Sequence, residues 1–79
     1  MDPLTVYTKK NCNFCDQIKQ VLNLKNVAYE EKILDTDFSA VDFIESFGKG
    51  ATFPQIVHED YKVGGCIQTI KYLKSKDLI

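Results

Sequence analysis

Cys12 and Cys15 are the residues of this sequence whose type and spacing most directly indicate chemistry. Two cysteines three positions apart at the start of a helix can close a small disulfide ring. There, Cys12 would face unsatisfied backbone N–H groups and the positive end of the helix dipole, and Lys9 and Lys10 add positive charge nearby. These effects favour a thiolate, because cysteines so placed have pKa values of about 3.5–7.5. The pair therefore indicates thiol–disulfide exchange, in which Cys12 attacks and the more shielded Cys15 resolves the mixed disulfide.

Two other interpretations of the cysteine pair stay open from the residues alone. A C-x-x-C pair can be half of a zinc site, but zinc needs about four ligands, and only Cys66 and His58 remain, without a second paired spacing. The two cysteines could also be ordinary buried residues. We expect no bound metal and give His58 no catalytic role, since a thiolate at a helix end needs no imidazole base.

The hydrophobic pattern predicts seven elements in the order β-α-β-α-β-β-α. The predicted strands cover residues 4–7, 27–34, 55–58 and 61–63. The predicted helices cover residues 13–25, a segment from Thr36 or Ser39 to Gly48, and residues 66–76. Asn11 or Cys12 is the expected N-cap of the first helix, and Ser39 to Asp42 resembles a capping box. The first two strands should be parallel, and the last two antiparallel.

Helical spacing also predicts which side chains of each helix face the core. The expected inward residues are Phe14, Ile18, Val21 and Leu22 in the first helix, Ala40, Phe43, Ile44 and Phe47 in the second, and Ile67, Ile70 and Leu73 in the third.

Length, charge and composition limit the classes of function. Seventy-nine residues predict a single domain over residues 1–79. Ten lysines and no arginine against eleven acids give a net charge of −1, which argues against a nucleic-acid partner. Neither a signal peptide nor a membrane span is recognisable, so we expect no membrane association and a cytoplasmic location. We also expect a monomer.

Three separated motifs resemble those of the glutaredoxin family, and the resemblance runs from the first strand to the final helix. The motifs are the active-site loop Lys9-x-x-Cys12-x-x-Cys15, the T-V-P-like segment Thr52-Phe53-Pro54 and the G-G-C turn Gly64-Gly65-Cys66. The resemblance implies a dithiol member with a C-N-F-C active site. It also implies an α/β, thioredoxin-like fold, in which a four-stranded mixed β-sheet is flanked by three helices.

The resemblance further implies a site for glutathione as the reducing co-substrate. Its expected residues are Lys9, Phe14, Thr52, Phe53, Pro54, Gly64, Gly65, Cys66 and Ile67. A cis bond before Pro54 would let the Phe53 backbone meet the cysteinyl unit, and Lys9 would meet the glycine carboxylate. The helix N-terminus at Cys66 and Ile67 would receive the γ-glutamyl carboxylate.

Two departures from the family pattern bear on specificity. Many glutaredoxins have Pro-Tyr between the cysteines, where this chain has Asn13-Phe14, and two aspartates after G-G-C, where it has Ile67-Gln68. Losing the first aspartate removes a partner for the ammonium group of glutathione. Because the chain has no arginine, the carboxylates of glutathione can meet only lysine side chains or backbone donors.

The leading functional hypothesis is a glutathione-disulfide oxidoreductase that reduces protein disulfides and glutathionyl mixed disulfides. Ribonucleotide reductase is the family's common protein substrate. One alternative is a glutaredoxin-like protein that is reduced by thioredoxin reductase. Another is an iron–sulfur module ligated by Cys12 and glutathione, since Asn13 is not the proline that disfavours cluster assembly. Visible absorption of the purified protein would distinguish this module from the enzyme.

Overall fold

The structure is a computed structural model that describes residues 2–79. Its elements are β1 (Leu4–Thr8), α1 (Asn13–Leu24), β2 (Tyr29–Ile33), α2 (Ala40–Phe47), β3 (Gln55–His58), β4 (Tyr61–Gly64) and α3 (Cys66–Ser75). The predicted element order is confirmed, and the bounds differ from the predicted ones by three residues or fewer at each defined end. Over this range, none of the helices is both long and apolar enough to span a bilayer.

The four strands form one mixed sheet in the spatial order β2-β1-β3-β4. β1 pairs with β2 in parallel, while β3 is antiparallel to both β1 and β4. This arrangement confirms the thioredoxin-like fold and the predicted directions of the first two and the last two strands. It places β1, which leads into the cysteine pair, in the middle of the sheet beside β3.

The hydrophobic core lies between the sheet and the two helices α1 and α3. Side chains of a strand alternate between the two faces, so Leu4 and Val6 of β1 point to the same side. The buried core residues are Leu4, Val6, Ile18, Leu22, Val27, Ile56, Cys66 and Leu73. Helices α1 and α3, whose N-caps are Cys12 and Gly65, are therefore anchored on the same face of the sheet.

Helix α2 lies on the other face and is held there largely by aromatic rings. We call these rings the aromatic cluster, and its members are Tyr7, Phe38, Phe43, Phe47 and Phe53. Tyr7 of β1 meets Phe38 and Phe47 edge-on, with centroids 5.2 and 5.1 Å apart. Phe43 is the buried residue of α2 and stacks on Phe53, whose ring lies 4.1 Å away.

Capping residues fix the ends of the helices. Cys12 is the N-cap of α1, and its neighbour Asn11 has a φ of 57°, so the choice between the two predicted caps falls on Cys12. Ser39 and Asp42 form the predicted capping box at the start of α2. Gly48 ends that helix with a φ of 95°, a left-handed conformation that glycine adopts without a steric penalty.

Several of the predicted inward side chains are exposed, and those predictions were wrong. Phe14 is 55% exposed and Ile67 is 59% exposed, because each belongs to the first turn of a helix, which borders the groove described below rather than the sheet. Ala40 and Ile44 are also exposed, since α2 contacts the sheet through its phenylalanines. In α3 the prediction is confirmed for Leu73, which is fully buried, and Ile70 is half-buried against the core, while Cys66 and Thr69 complete the buried face.

Candidate active site

The two cysteines of the C-N-F-C motif form a disulfide at the N-terminus of α1. Their Cα atoms are 5.2 Å apart. Cys12 occupies the N-cap position, and its Sγ accepts a hydrogen bond from the backbone N–H of Cys15 at 3.2 Å. Cys15 is 1% exposed and Cys12 is 8% exposed, so Cys12 is the sulfur more open to a substrate.

The same geometry favours Cys12 as the attacking thiolate once the disulfide is reduced. A thiolate at the N-cap can accept the N–H of Cys15, which would otherwise have no partner within the helix. The helix dipole also favours negative charge at this end. Lys9 and Lys10 lie on the exposed loop that precedes the cap. Cys15, inside the first turn, has none of these advantages.

The third thiol, Cys66, lies at the start of α3 and differs in its environment. It is a buried free cysteine, and burial raises the pKa of its thiol. A thiol with a raised pKa carries little thiolate at neutral pH and reacts slowly with disulfides. Cys66 is therefore poorly suited to replace Cys12 in the exchange reaction.

We expect selective alkylation of Cys12 in the reduced protein. With iodoacetamide at pH 7, Cys12 should be modified first and Cys66 last, because only Cys12 has the helix-end donors that favour a thiolate. Peptide mass spectrometry over a pH series gives the rate for each cysteine. An inflection for Cys12 near the free-thiol value of about 8.5 would contradict the electrostatic argument.

A groove brings together parts of three predicted motifs, and Phe14, which stands between the two cysteines in the sequence, forms part of its wall, although neither Cys12 nor Cys15 lines it. It has a volume of about 150 Å³ and is lined by Phe14, Thr52, Phe53, Pro54, Gly65, Cys66, Ile67 and Gln68. The bond between Phe53 and Pro54 is cis, as the resemblance implied. Seven of these eight lining residues belong to the predicted site, and Gln68 is the one that the site prediction omitted.

Two predicted site residues, Lys9 and Gly64, do not line the groove. The ammonium of Lys9 lies 5.5 Å from the ring centroid of Phe53, so the lysine sits beside the groove and over one of its walls. Gly64 has a φ of 118°, and a Cβ at this position would come within 3.1 Å of the Gln68 side chain. A glycine is therefore needed there to bring β4 against the first turn of α3.

The groove is open to anions at its α3 end. Gly65 is the N-cap of α3 and supplies no side chain, so the first N–H groups of this helix have no capping side-chain acceptor. The first turn of α3 contains no acidic residue, and among residues 2–79 no aspartate or glutamate lines the groove. A carboxylate is thus a suitable ligand for this end, whereas an ammonium finds no charged partner in the lining.

A polar cluster that sequence reasoning missed lies next to the active-site loop. Glu31 of β2 accepts hydrogen bonds from the Thr8 hydroxyl at 2.7 Å and from the Lys19 ammonium at 2.9 Å. Burial alone would raise the pKa of Glu31, but these two hydrogen bonds, together with the positive charge of Lys19, hold the pKa below its ordinary value. The same hydrogen bond has the opposite effect on the lysine and raises the pKa of Lys19. The cluster ties the edge strand β2 to α1, which carries both cysteines.

We expect Glu31→Gln to lower the free energy of unfolding by about 1 kcal/mol at pH 7. A carboxyl whose folded-state pKa is lowered stabilises the protein above its unfolded value of about 4.3 and loses that contribution as the pH falls through the folded-state pKa. The difference between wild type and variant should therefore shrink in acid, as measured by urea unfolding from pH 7 to pH 3. Glu30→Gln is the matched control, because the Glu30 side chain is exposed and its carboxylate lies 3.7 Å from the Lys32 ammonium, which is too far for a hydrogen bond. Equal losses in both variants would contradict the assignment.

Neither His58 nor a metal cluster joins the cysteine pair. His58 Nδ1 is hydrogen-bonded to the Tyr72 hydroxyl at 2.7 Å, on β3 and α3. Residues 2–79 contain no group of three or more His, Cys, Asp or Glu side chains arranged to hold a metal ion.

Comparisons with known proteins indicate one family. The glutaredoxin family model matches residues 4–61. Glutaredoxin 1 of Rickettsia conorii is 41% identical over 66 residues, which are 80% of this chain but only 64% of that protein. Glutaredoxin 1 of Francisella tularensis, crystallised with cacodylate, has a TM-score of 0.71 at 26% identity. The match covers 96% of this chain and 95% of the Francisella chain. A buckwheat glutaredoxin–glutathione complex has a TM-score of 0.77 at 21% identity, and the match covers 96% of this chain and 72% of the buckwheat chain.

A four-stranded mixed sheet with a disulfide-forming cysteine pair at the N-terminus of its first helix places the chain in the thioredoxin-like class. The family match over residues 4–61 makes the assignment narrower, and the chain belongs to the glutaredoxin family.

Proposed function

We propose that this protein is a dithiol glutaredoxin that uses glutathione to reduce protein disulfides and glutathionyl mixed disulfides. The observation that carries the proposal is the Cys12–Cys15 disulfide at the helix N-terminus beside a groove walled by Thr52, Phe53 and Pro54. Disulfide-containing proteins, including ribonucleotide reductase, are the proposed substrates. We further propose a cytoplasmic monomer.

In the first half of the reaction, the Cys12 thiolate attacks one sulfur of the substrate disulfide. A Cys12–substrate mixed disulfide forms, and the other substrate sulfur leaves as a thiolate that takes up a proton. Cys15 then loses its proton and attacks Cys12 Sγ. This step releases the second substrate thiol and leaves the Cys12–Cys15 disulfide, so that two electrons have passed to the substrate.

In the second half, two glutathione molecules restore the dithiol. The first attacks Cys12 Sγ, which forms a Cys12–glutathione mixed disulfide and frees Cys15. The second attacks the glutathione sulfur of that mixed disulfide, so that oxidised glutathione leaves and Cys12 returns to the thiolate. For a glutathionyl substrate, Cys12 reaches the same mixed disulfide directly.

Glutathione suits the groove through backbone contacts and charge. Its cysteinyl unit would extend along Phe53, whose N–H and C=O can pair with a peptide beside the cis Phe53–Pro54 bond. Its γ-glutamyl carboxylate would meet the N-terminus of α3 at Cys66 and Ile67, and its glycine carboxylate would meet Lys9. The buckwheat relative of similar fold is itself a complex with glutathione.

A comparison of two reductants tests the proposal. Turnover of a glutathionylated peptide is measured with glutathione and glutathione reductase, and separately with thioredoxin reductase. We expect turnover with glutathione that saturates, and little with thioredoxin reductase. The reverse preference would overturn the glutathione dependence and favour the protein reduced by thioredoxin reductase.

A further inference from the structure

The wall of the groove that Phe53 provides is not supported by the core beneath the sheet. Its ring stacks on Phe43 of α2, with centroids 4.1 Å apart and planes 11° apart, and lies nearly parallel to Phe38 at 6.2 Å and 23°. Phe38 and Phe43 also stack on each other at 5.8 Å. Neither Phe38 nor Phe43 lines the groove. Three rings from three separate chain segments thus form one stack, of which only Phe53 reaches the site.

The ammonium of Lys9 is attached to the same stack. It lies 5.5 Å from the centroid of the Phe53 ring, within the range of a cation–π interaction. Lys9 is exposed and, apart from this ring contact, no hydrogen bond or ion pair holds its ammonium among residues 2–79. The position of this charge beside the groove therefore depends on where the Phe53 ring lies.

We propose that Phe43, assisted by Phe38, is a positioning residue for peptide recognition. Through its contact with the Phe53 ring, Phe43 fixes the Thr52–Pro54 backbone, which the peptide would follow. The same contact fixes the Lys9 ammonium, which a carboxylate of the peptide would meet. This inference rests on the proposed function for the identity of the peptide, which is glutathione. The reactivity of Cys12 depends mainly on the N-terminus of α1, which lies on the opposite face of the sheet from α2, and the exposed Lys9 contributes little to it.

The proposal gives α2 a role in specificity. The ring stack restricts the Phe53 side chain before a ligand arrives, so less freedom is lost on binding. An aliphatic side chain at position 43 would keep apolar contact but lose the parallel ring contact, which contributes about 0.5–1.5 kcal/mol beyond buried area and corresponds to about 2- to 12-fold in binding. The loss should appear in the use of glutathione and be absent from the reactivity of the thiol.

The test compares Phe43→Leu with Phe47→Leu, a matched change in the same helix. Phe47 packs on Tyr7 and Phe43 but makes no ring contact with Phe53. We expect Phe43→Leu to raise the KM for glutathione about 3- to 10-fold, with the rate of Cys12 alkylation within about twofold of wild type. Phe47→Leu should lower the melting temperature comparably and leave the KM within about twofold. If Phe43→Leu does not fold, Phe38→Leu, a change at a half-buried position, takes its place in the comparison with Phe47→Leu.

A second readout does not need glutathione. The Lys9 Hε protons should show an upfield ring-current shift in the NMR spectrum of the wild type, lost in Phe43→Leu and kept in Phe47→Leu. If the two variants raise the KM equally, or if the Lys9 shift survives in Phe43→Leu, the positioning role is overturned and Phe43 only stabilises α2. If the Lys9 shift behaves as expected but the wild type does not use glutathione, the ring stack still positions Lys9 and the proposed function alone is overturned.

Discussion

Replacing Cys12 with serine is expected to reduce turnover of every disulfide substrate to the rate of the uncatalysed reaction. A serine hydroxyl at the N-cap can accept the Cys15 N–H as the sulfur does, so α1 should still form. It cannot form a mixed disulfide, which is the first intermediate of the exchange. Neither remaining thiol can substitute, because Cys15 is almost completely buried and burial raises the pKa of the Cys66 thiol.

Turnover of a glutathionylated peptide and of a protein disulfide, each with glutathione, measures this effect. Cys66→Ser is the control, because it removes a thiol from the same end of the fold but keeps the backbone N–H at the start of α3. We expect Cys66→Ser to retain turnover far above the uncatalysed rate. An active Cys12→Ser together with an inactive Cys66→Ser would assign the attack to Cys66.

Local signals explain why the order of elements could be predicted from the sequence. The cysteine pair, the Ser39–Asp42 capping box and Gly48 each act within a few residues of the chain, and the structure places all of them at helix ends. The same holds for Gly65 before α3. Such signals do not depend on how distant segments pack, and the glutaredoxin motifs are built from them.

The exposed side chains of the two active-site helices could not be predicted by the same reasoning. Helical spacing puts Phe14 on one stripe with Ile18, and Ile67 on one stripe with Ile70. A stripe predicts burial only where another element covers it, and the first turns of α1 and α3 border the groove instead. Apolar side chains at these two positions form walls of the candidate site rather than parts of the core.

The polar cluster and the aromatic cluster depend on contacts between distant segments. Glu31 reaches Thr8 only because β1 and β2 pair with Thr8 opposite Ile33, and a shift of one residue would turn Glu31 to the other face. The stack of Phe38, Phe43 and Phe53 joins a loop, a helix and the segment before β3. No spacing within any one of them indicates a shared site.

Cys15→Ser is expected to separate the two proposed activities, reduction of protein disulfides and deglutathionylation. Reduction of protein disulfides should fall to nearly the uncatalysed rate, because the Cys12–protein mixed disulfide then has no adjacent thiol to release it. Deglutathionylation should continue at a rate within about tenfold of wild type, since free glutathione can resolve the Cys12–glutathione disulfide. The structure supports this division because Cys15 is buried behind Cys12, where its sulfur can reach Cys12 Sγ but is shielded from a substrate.

Steady-state assays of Cys15→Ser on a glutathionylated peptide and on a protein disulfide, over one glutathione series, measure the separation. Circular dichroism of both proteins in the reduced state controls for folding, since the variant cannot form the disulfide of the wild type. Equal loss of both activities in a folded variant would contradict the assignment of attack to Cys12 and resolution to Cys15. It would mean that Cys15 takes part in the first step, which its burial in the first turn of α1 argues against.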